Sequence, residues 1–178
     1  MPVPPVLACS PSRSDPGTVA DEDLALRLDR QICFPLYAAS NLMTRLYRPL
    51  LESLGLTYPQ YLVMMVLWEV SRCRVGDLGA RLHLDSGTLT PLLKRMEAAG
   101  LVNRRRDSAD ERRVEVSLTE HGQALRLKAR SVPEEVITAL ALPRERALAL
   151  GEELRALVDV LATALEHRTT PSAPGDNR

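Results

Sequence analysis

The stretch that most constrains the fold lies at residues 75–119 of this 178-residue chain. Val75, Leu78 and Leu82 repeat at helical spacing, the polar cluster Asp85-Ser86-Gly87 interrupts them, and Leu89, Leu92, Leu93 and Met96 resume the period. Ser86 can accept from free N–H groups at a helix start, and Gly100 tolerates the left-handed backbone that closes a helix. The pair reads as a helix-turn-helix. Beyond it, Leu101-Val102-Asn103-Arg104-Arg105 and Val114-Glu115-Val116-Ser117-Leu118 flank a polar segment at residues 106–113. The second strand places Val114, Val116 and Leu118 on one face. A helix pair followed by a basic hairpin predicts a winged helix.

Charge supports that expectation. The whole chain carries 23 Lys/Arg and 23 Asp/Glu, yet residues 72–113 hold 10 of the former against 6 of the latter. A local basic surplus suits a module that neutralises phosphates with a helix and a hairpin tip, while the acidic remainder stays off the nucleic acid. On the second helix Ser86, Thr88 and Thr90 are placed to meet base edges or phosphates, and Lys94 and Arg95 to meet the backbone. At the hairpin tip Arg112 suits the negative potential of a narrow minor groove, braced by Asp110 two residues earlier.

The composition, 45% hydrophobic but only 3% aromatic, implies a core of Leu, Ala and Val and a mainly α fold with a small β wing. Residues 1–20 are rich in proline and lack periodicity, so they are expected to be a disordered tail, as are residues 169–178. Between the tails, residues 21–57 read as a first helical region, 58–118 as the winged module and 119–168 as C-terminal helices. In the first region Leu36, Ala39, Met43, Leu46, Leu50 and Leu54 follow helical spacing. Pro35 either opens this helix or kinks one that began near Asp23, and both place Cys33 near a helix start. Tyr58-Pro59 opens a short apolar helix. Another begins at Thr119 and runs towards Pro133, and Pro143 begins the last. There Leu150, Leu154, Leu157, Val158, Leu161 and Leu165 form a stripe in steps of three and four.

Such a stripe on a terminal helix predicts a homodimer closed by a helical dimerisation bundle of the first and last helices. Packing on the chain's own first helix is the competing use. A dimer would set two recognition helices about one turn of DNA apart, roughly 34–36 Å, on a palindromic operator.

The longest apolar run, Tyr61 to Trp68, falls far short of the roughly 20 residues that span a bilayer. Val6-Leu7-Ala8-Cys9 resembles a lipoprotein cleavage box but lacks the charged and apolar regions of a secretory signal. Three cysteines without metal-like spacing to each other or to the histidines predict a cytoplasmic protein with no metal and no cofactor.

The run Asp110-Glu111-Arg112, followed by Val114, Val116, Leu118-Thr119 and Gly122, resembles the wing signature of the MarR family of dimeric repressors. The runs from Leu28 through Cys33-Phe34-Pro35-Leu36-Tyr37 to Ser40, Leu46-Tyr47-Arg48-Pro49-Leu50 and Leu56-Thr57-Tyr58-Pro59-Gln60-Tyr61 are similar to the organic-hydroperoxide-sensing, OhrR-type branch. So is Leu84-Asp85-Ser86-Gly87-Thr88-Leu89-Thr90-Pro91-Leu92-Leu93. The resemblance implies that Cys33 is the peroxide-reactive thiol, that Tyr47 and Tyr58 hydrogen-bond it, and that Tyr37 lines the same pocket. It further implies that Asp110 and Arg112 act on the wing. Some relatives trap the oxidised thiol with a second cysteine late in the chain, and after Cys73 this sequence has none. That departure implies capping by a low-molecular-weight thiol, with Cys9 a competing partner and Cys73 incidental.

The physics of the thiol agrees: a thiolate attacks peroxides, and a helix N-terminus with phenolic donors stabilises it. Phe34 and Met43 suit an alkyl or lipid peroxide. The expected function is a repressor that releases its operator when Cys33 is oxidised. Three rivals remain: release by a phenolic or other apolar ligand, a thiol peroxidase, and a helical interaction module without DNA.

Overall fold

The computed structural model describes residues 25–106 and 113–169. The chain divides into two compact units, residues 1–43 and residues 44–178. In the first, a 3-10 turn at Leu28–Arg30 precedes the opening turns of helix α1, Cys33–Glu52. Gln31 steadies the turn, its Nε2 donating to the carbonyls of Ala25 and Arg27. Cys33 is the first residue of α1, so neither sequence alternative for Pro35 holds as stated. Proline occupies the first turn, where its missing N–H has no intrahelical partner to lose.

The second unit carries the rest of α1, then α2 (Tyr58–Val70), β1 (Arg72–Arg74), α3 (Val75–Leu82) and α4 (Ser86–Ala98). The hairpin β2 (Val102–Arg106) and β3 (Val114–Leu118) follows, with α5 (Glu120–Lys128), α6 (Val132–Leu140) and α7 (Arg144–Thr169) after it. Helix α1 ends at Glu52, so Leu54 enters the core from a turn closed by Gly55 at φ 64°. Pro133 lies inside the first turn of α6 rather than ending a helix. Pro143 accepts from the Ala147 N–H and so opens α7 as expected.

The expected winged helix is present: among the described residues the fold is mainly α, with an antiparallel sheet in the order β1-β3-β2. Cys73 faces Val116 in one ladder, and Arg104 faces it in the other. The core beneath is aliphatic, centred on Met64, Leu67, Leu78, Leu89, Leu93, Met96, Val102 and Val116, all fully buried. Helix α2 supplies its middle layer, which explains why that helix is apolar around most of its circumference.

The wing is anchored at its base. Thr119 donates its hydroxyl to the carbonyls of Gly100 and Leu101 and accepts from the Gly122 N–H at 2.9 Å. The Gly122 carbonyl in turn accepts from Trp68 Nε1 at 3.0 Å. A Cβ at residue 122 would lie 2.2 Å from the Leu101 carbonyl oxygen, so only glycine permits this crossing. Among the described residues no helix is long and apolar enough to cross a membrane.

Candidate functional site

Asp85, not Ser86, caps the second helix of the helix-turn-helix. Its carboxylate accepts from the Thr88 N–H at 2.8 Å and from the Thr88 hydroxyl at 3.0 Å, which holds the Asp85 carboxyl below the usual carboxylate range. Two cap-competent residues stand side by side here, and the carboxylate, the stronger acceptor, takes the position. Ser86 becomes the first helical residue with its side chain exposed. Helix α4 then separates its faces cleanly. Leu89, Leu92, Leu93 and Met96 are buried, while Ser86, Thr88, Lys94 and Arg95 are exposed. Thr90 is half-buried on the side towards α3.

At the far end of α4 the Glu97 carboxylate accepts from the Arg104 N–H at 3.1 Å and lies 3.6 Å from its guanidinium. This ties the reading helix to the first wing strand. The strands pair as far as Arg106 opposite Val114. Asp110 and Arg112 lie outside the described residues, and so does Cys9.

The sequence-named thiol and phenols divide between the two units. In the first, Cys33 is exposed at the start of α1, and Tyr37 one turn later is 68% exposed. In the second, Tyr47 stacks on Tyr58 with ring centroids 4.5 Å apart, and Tyr61 joins at 5.8 Å from Tyr47 before meeting Trp68 edge-on. Thr57 positions the start of α2 by donating its N–H to Gln60 Oε1 at 2.8 Å. Tyr61 was not among the residues singled out from sequence. Its spacing of three from Tyr58 on one helix was the available signal.

Burial, with the neighbouring Tyr58 and Tyr61, pushes the Tyr47 hydroxyl up to about 12, and burial raises Tyr58 and Tyr61 as well. These phenols therefore remain O–H donors throughout the neutral range. The shift also makes a stability prediction. A phenol whose folded pKa is raised contributes stability that is fully present below the unfolded value near 10 and lost as pH rises towards the folded one. Chemical-denaturation midpoints should fall between pH about 10 and about 12, and Tyr47→Phe should shallow that decline. An equal decline in both proteins would contradict the assignment. Cys73 is a poorer nucleophile, since burial and the carboxylates of Asp77 and Glu115 raise its thiol against the opposing Arg81.

A helix-turn-helix with an antiparallel basic wing defines a winged-helix protein. Residues 45–127 match the family described as transcriptional regulator SarA/Rot. The organic hydroperoxide resistance transcriptional regulator of Bacillus subtilis (strain 168) is 48% identical over 79% of this chain and 91% of its own length. The regulator TtmR of Methylorubrum extorquens is 52% identical over 68% of this chain and 63% of its own. Among solved structures, reduced AbfR bound to DNA is 35% identical, covers 79% of this chain and 99% of that chain, and superposes with a TM-score of 0.62. A probable transcriptional regulator from Pseudomonas aeruginosa reaches 0.65 at 32% identity, over 74% of this chain and 99% of that one. The chain belongs to the MarR-type winged-helix transcriptional regulators, in their organic-hydroperoxide-resistance, OhrR-type branch.

Proposed function

We propose that this regulator is a cytoplasmic homodimeric repressor that binds a palindromic operator when reduced and releases it when an organic hydroperoxide oxidises Cys33. The observation that carries the reading is the exposed thiol at the first residue of α1, in a chain whose other half is a winged helix. In the proposed sensor the N-terminus of α1 stabilises the Cys33 thiolate. The thiolate attacks the peroxide, an S–O bond forms, the O–O bond breaks, and the alkoxide leaves as the alcohol after taking a proton. The resulting sulfenic acid condenses with a low-molecular-weight thiol, giving a mixed disulfide and water.

Residues 58–118 are the proposed DNA-reading module, and residues 21–57 and 119–168 the dimerisation helices. The stripe on α7 supports this pairing. Leu154, Val158, Leu161 and Leu165 are 46%, 41%, 48% and 65% exposed in a single chain, and burial against a second copy would remove them from water.

Two experiments test the reading. Single-turnover mass spectrometry should find one peroxide consumed per Cys33, and steady consumption of many equivalents with thiol present would make the protein a peroxidase instead. Arg112→Ala should weaken operator binding by roughly tenfold or more, corresponding to the loss of a contact worth about 1–3 kcal/mol, with the rate of Cys33 oxidation unchanged. Unchanged affinity in an anisotropy titration would remove the wing from the account.

A further inference from the structure

Helix α3, the first turns of α4 and the root of the wing enclose an open cavity of about 710 Å³. Its walls include Arg74, Arg104 and Arg113 with one carboxylate, Asp77, and the hydroxyl residues Ser86 and Thr90. Arg74 is exposed and stands opposite Glu115 in the ladder, yet among the described residues it joins no ion pair. Arg113 is exposed too. Arg104 is half-buried, and Glu97 accepts from its backbone N–H and lies 3.6 Å from its Nη1, which leaves the side-chain Nε buried without an acceptor. A buried donor left unpaired is uncommon, and here it belongs to a guanidinium lining an open, positively charged cavity.

We propose that this cavity is a phosphate clamp at the root of the wing. It receives a backbone phosphate of duplex DNA, with Arg74 and Arg113 at the rim and Arg104 behind them. The clamp rests on the DNA-binding reading above and adds to it a contact at the edge of the reading face, away from the wing tip. It would fix how far α4 is inserted without reading any base, because a phosphate carries no sequence. Ser86 and Thr90 are short enough to add hydroxyl donors to the same phosphate.

The test is anisotropy with the full-length reduced protein on the duplex upstream of its own gene and on an unrelated duplex, across a salt series. Arg74→Gln and Arg113→Gln should each lower the slope of log affinity against log salt by about 1, and weaken binding roughly 5–10-fold at 0.1 M salt on both duplexes. Unchanged circular dichroism and melting would show that the fold is intact. Unaltered slopes in both variants overturn the clamp. A wild-type protein that binds neither duplex overturns the DNA-binding reading itself, and the two failures are thus distinct. Calorimetric titration with inorganic phosphate separates a free anion from DNA. Phosphate binding lost in both variants, with unaltered DNA slopes, assigns the cavity to a small anion and overturns the clamp.

Discussion

Gly122→Ala is expected to destabilise the protein by about 3 kcal/mol, at the upper end of what forced overpacking costs in a well-packed interior. The new methyl carbon would sit 2.2 Å from the Leu101 carbonyl oxygen and 3.3 Å from Leu118 Cδ2. The offending atom is backbone, so no rotamer change relieves it. The wing base or the start of α5 must shift instead. Either movement pulls on the bond from Trp68 Nε1 to the Gly122 carbonyl and on the bond from the Gly122 N–H to Thr119, both in protected positions. For a chain of this size the melting temperature should fall by about 10 °C. Gly76→Ala is the internal control, because a Cβ there meets nothing within 4 Å, and in a helix alanine should be neutral or mildly stabilising. A Gly122→Ala protein that melts like the wild type would mean that the wing base is not packed as described.

Cys33→Ser is expected to leave operator binding by the reduced protein within about threefold of wild type and to abolish the response to organic hydroperoxide. In the wild type, a coupling of about 1–3 kcal/mol per site would lower operator affinity by about 5–150-fold per oxidation event. Serine keeps the size of the side chain and removes the nucleophile, since a hydroxyl at this position does not ionise at neutral pH. Cys73 cannot substitute, because its thiol is half-buried in β1 and shifted towards the protonated form. A Cys33→Ser dimer that still released DNA on addition of cumene hydroperoxide would move the sensor elsewhere, or move the signal to a non-covalent ligand.

Much of the fold was legible in the residues. The 3.6-residue period of Leu89, Leu92, Leu93 and Met96 gave the buried face of α4, and Gly100 closes that helix at φ 68°. The alternation of Val114, Val116 and Leu118 gave β3. Strand β1 was not legible, because Arg72-Cys73-Arg74 has no apolar alternation and no β-branched residue. Its extended form comes from pairing with residues 115–117 of β3, a long-range contact that local pattern does not encode. Asp85 and Ser86 could both cap, and one residue of difference decides which side chain is left on the exposed face.

Site residues were legible to different degrees. Cys33 near a helix start followed from Pro35 under either reading, whereas the aromatic cluster depends on how α1 packs on α2 within the second unit. Tyr61 is nearly invisible in sequence for that reason. It looks like one more apolar residue of α2, and only packing makes it the bridge from Tyr47 to Trp68. The Arg104–Glu97 tie was equally hidden, since a seven-residue separation across a helix end and a turn carries no periodic signal.

The most direct test of the account is an anisotropy titration of the reduced wild-type protein onto the DNA upstream of its own gene. It would be repeated after adding an organic hydroperoxide with a low-molecular-weight thiol, and again after a reductant. The account predicts tight binding, lost on oxidation and restored by reduction. Tight binding that is indifferent to the peroxide would contradict it, leaving a winged-helix regulator whose signal is not the oxidation of Cys33.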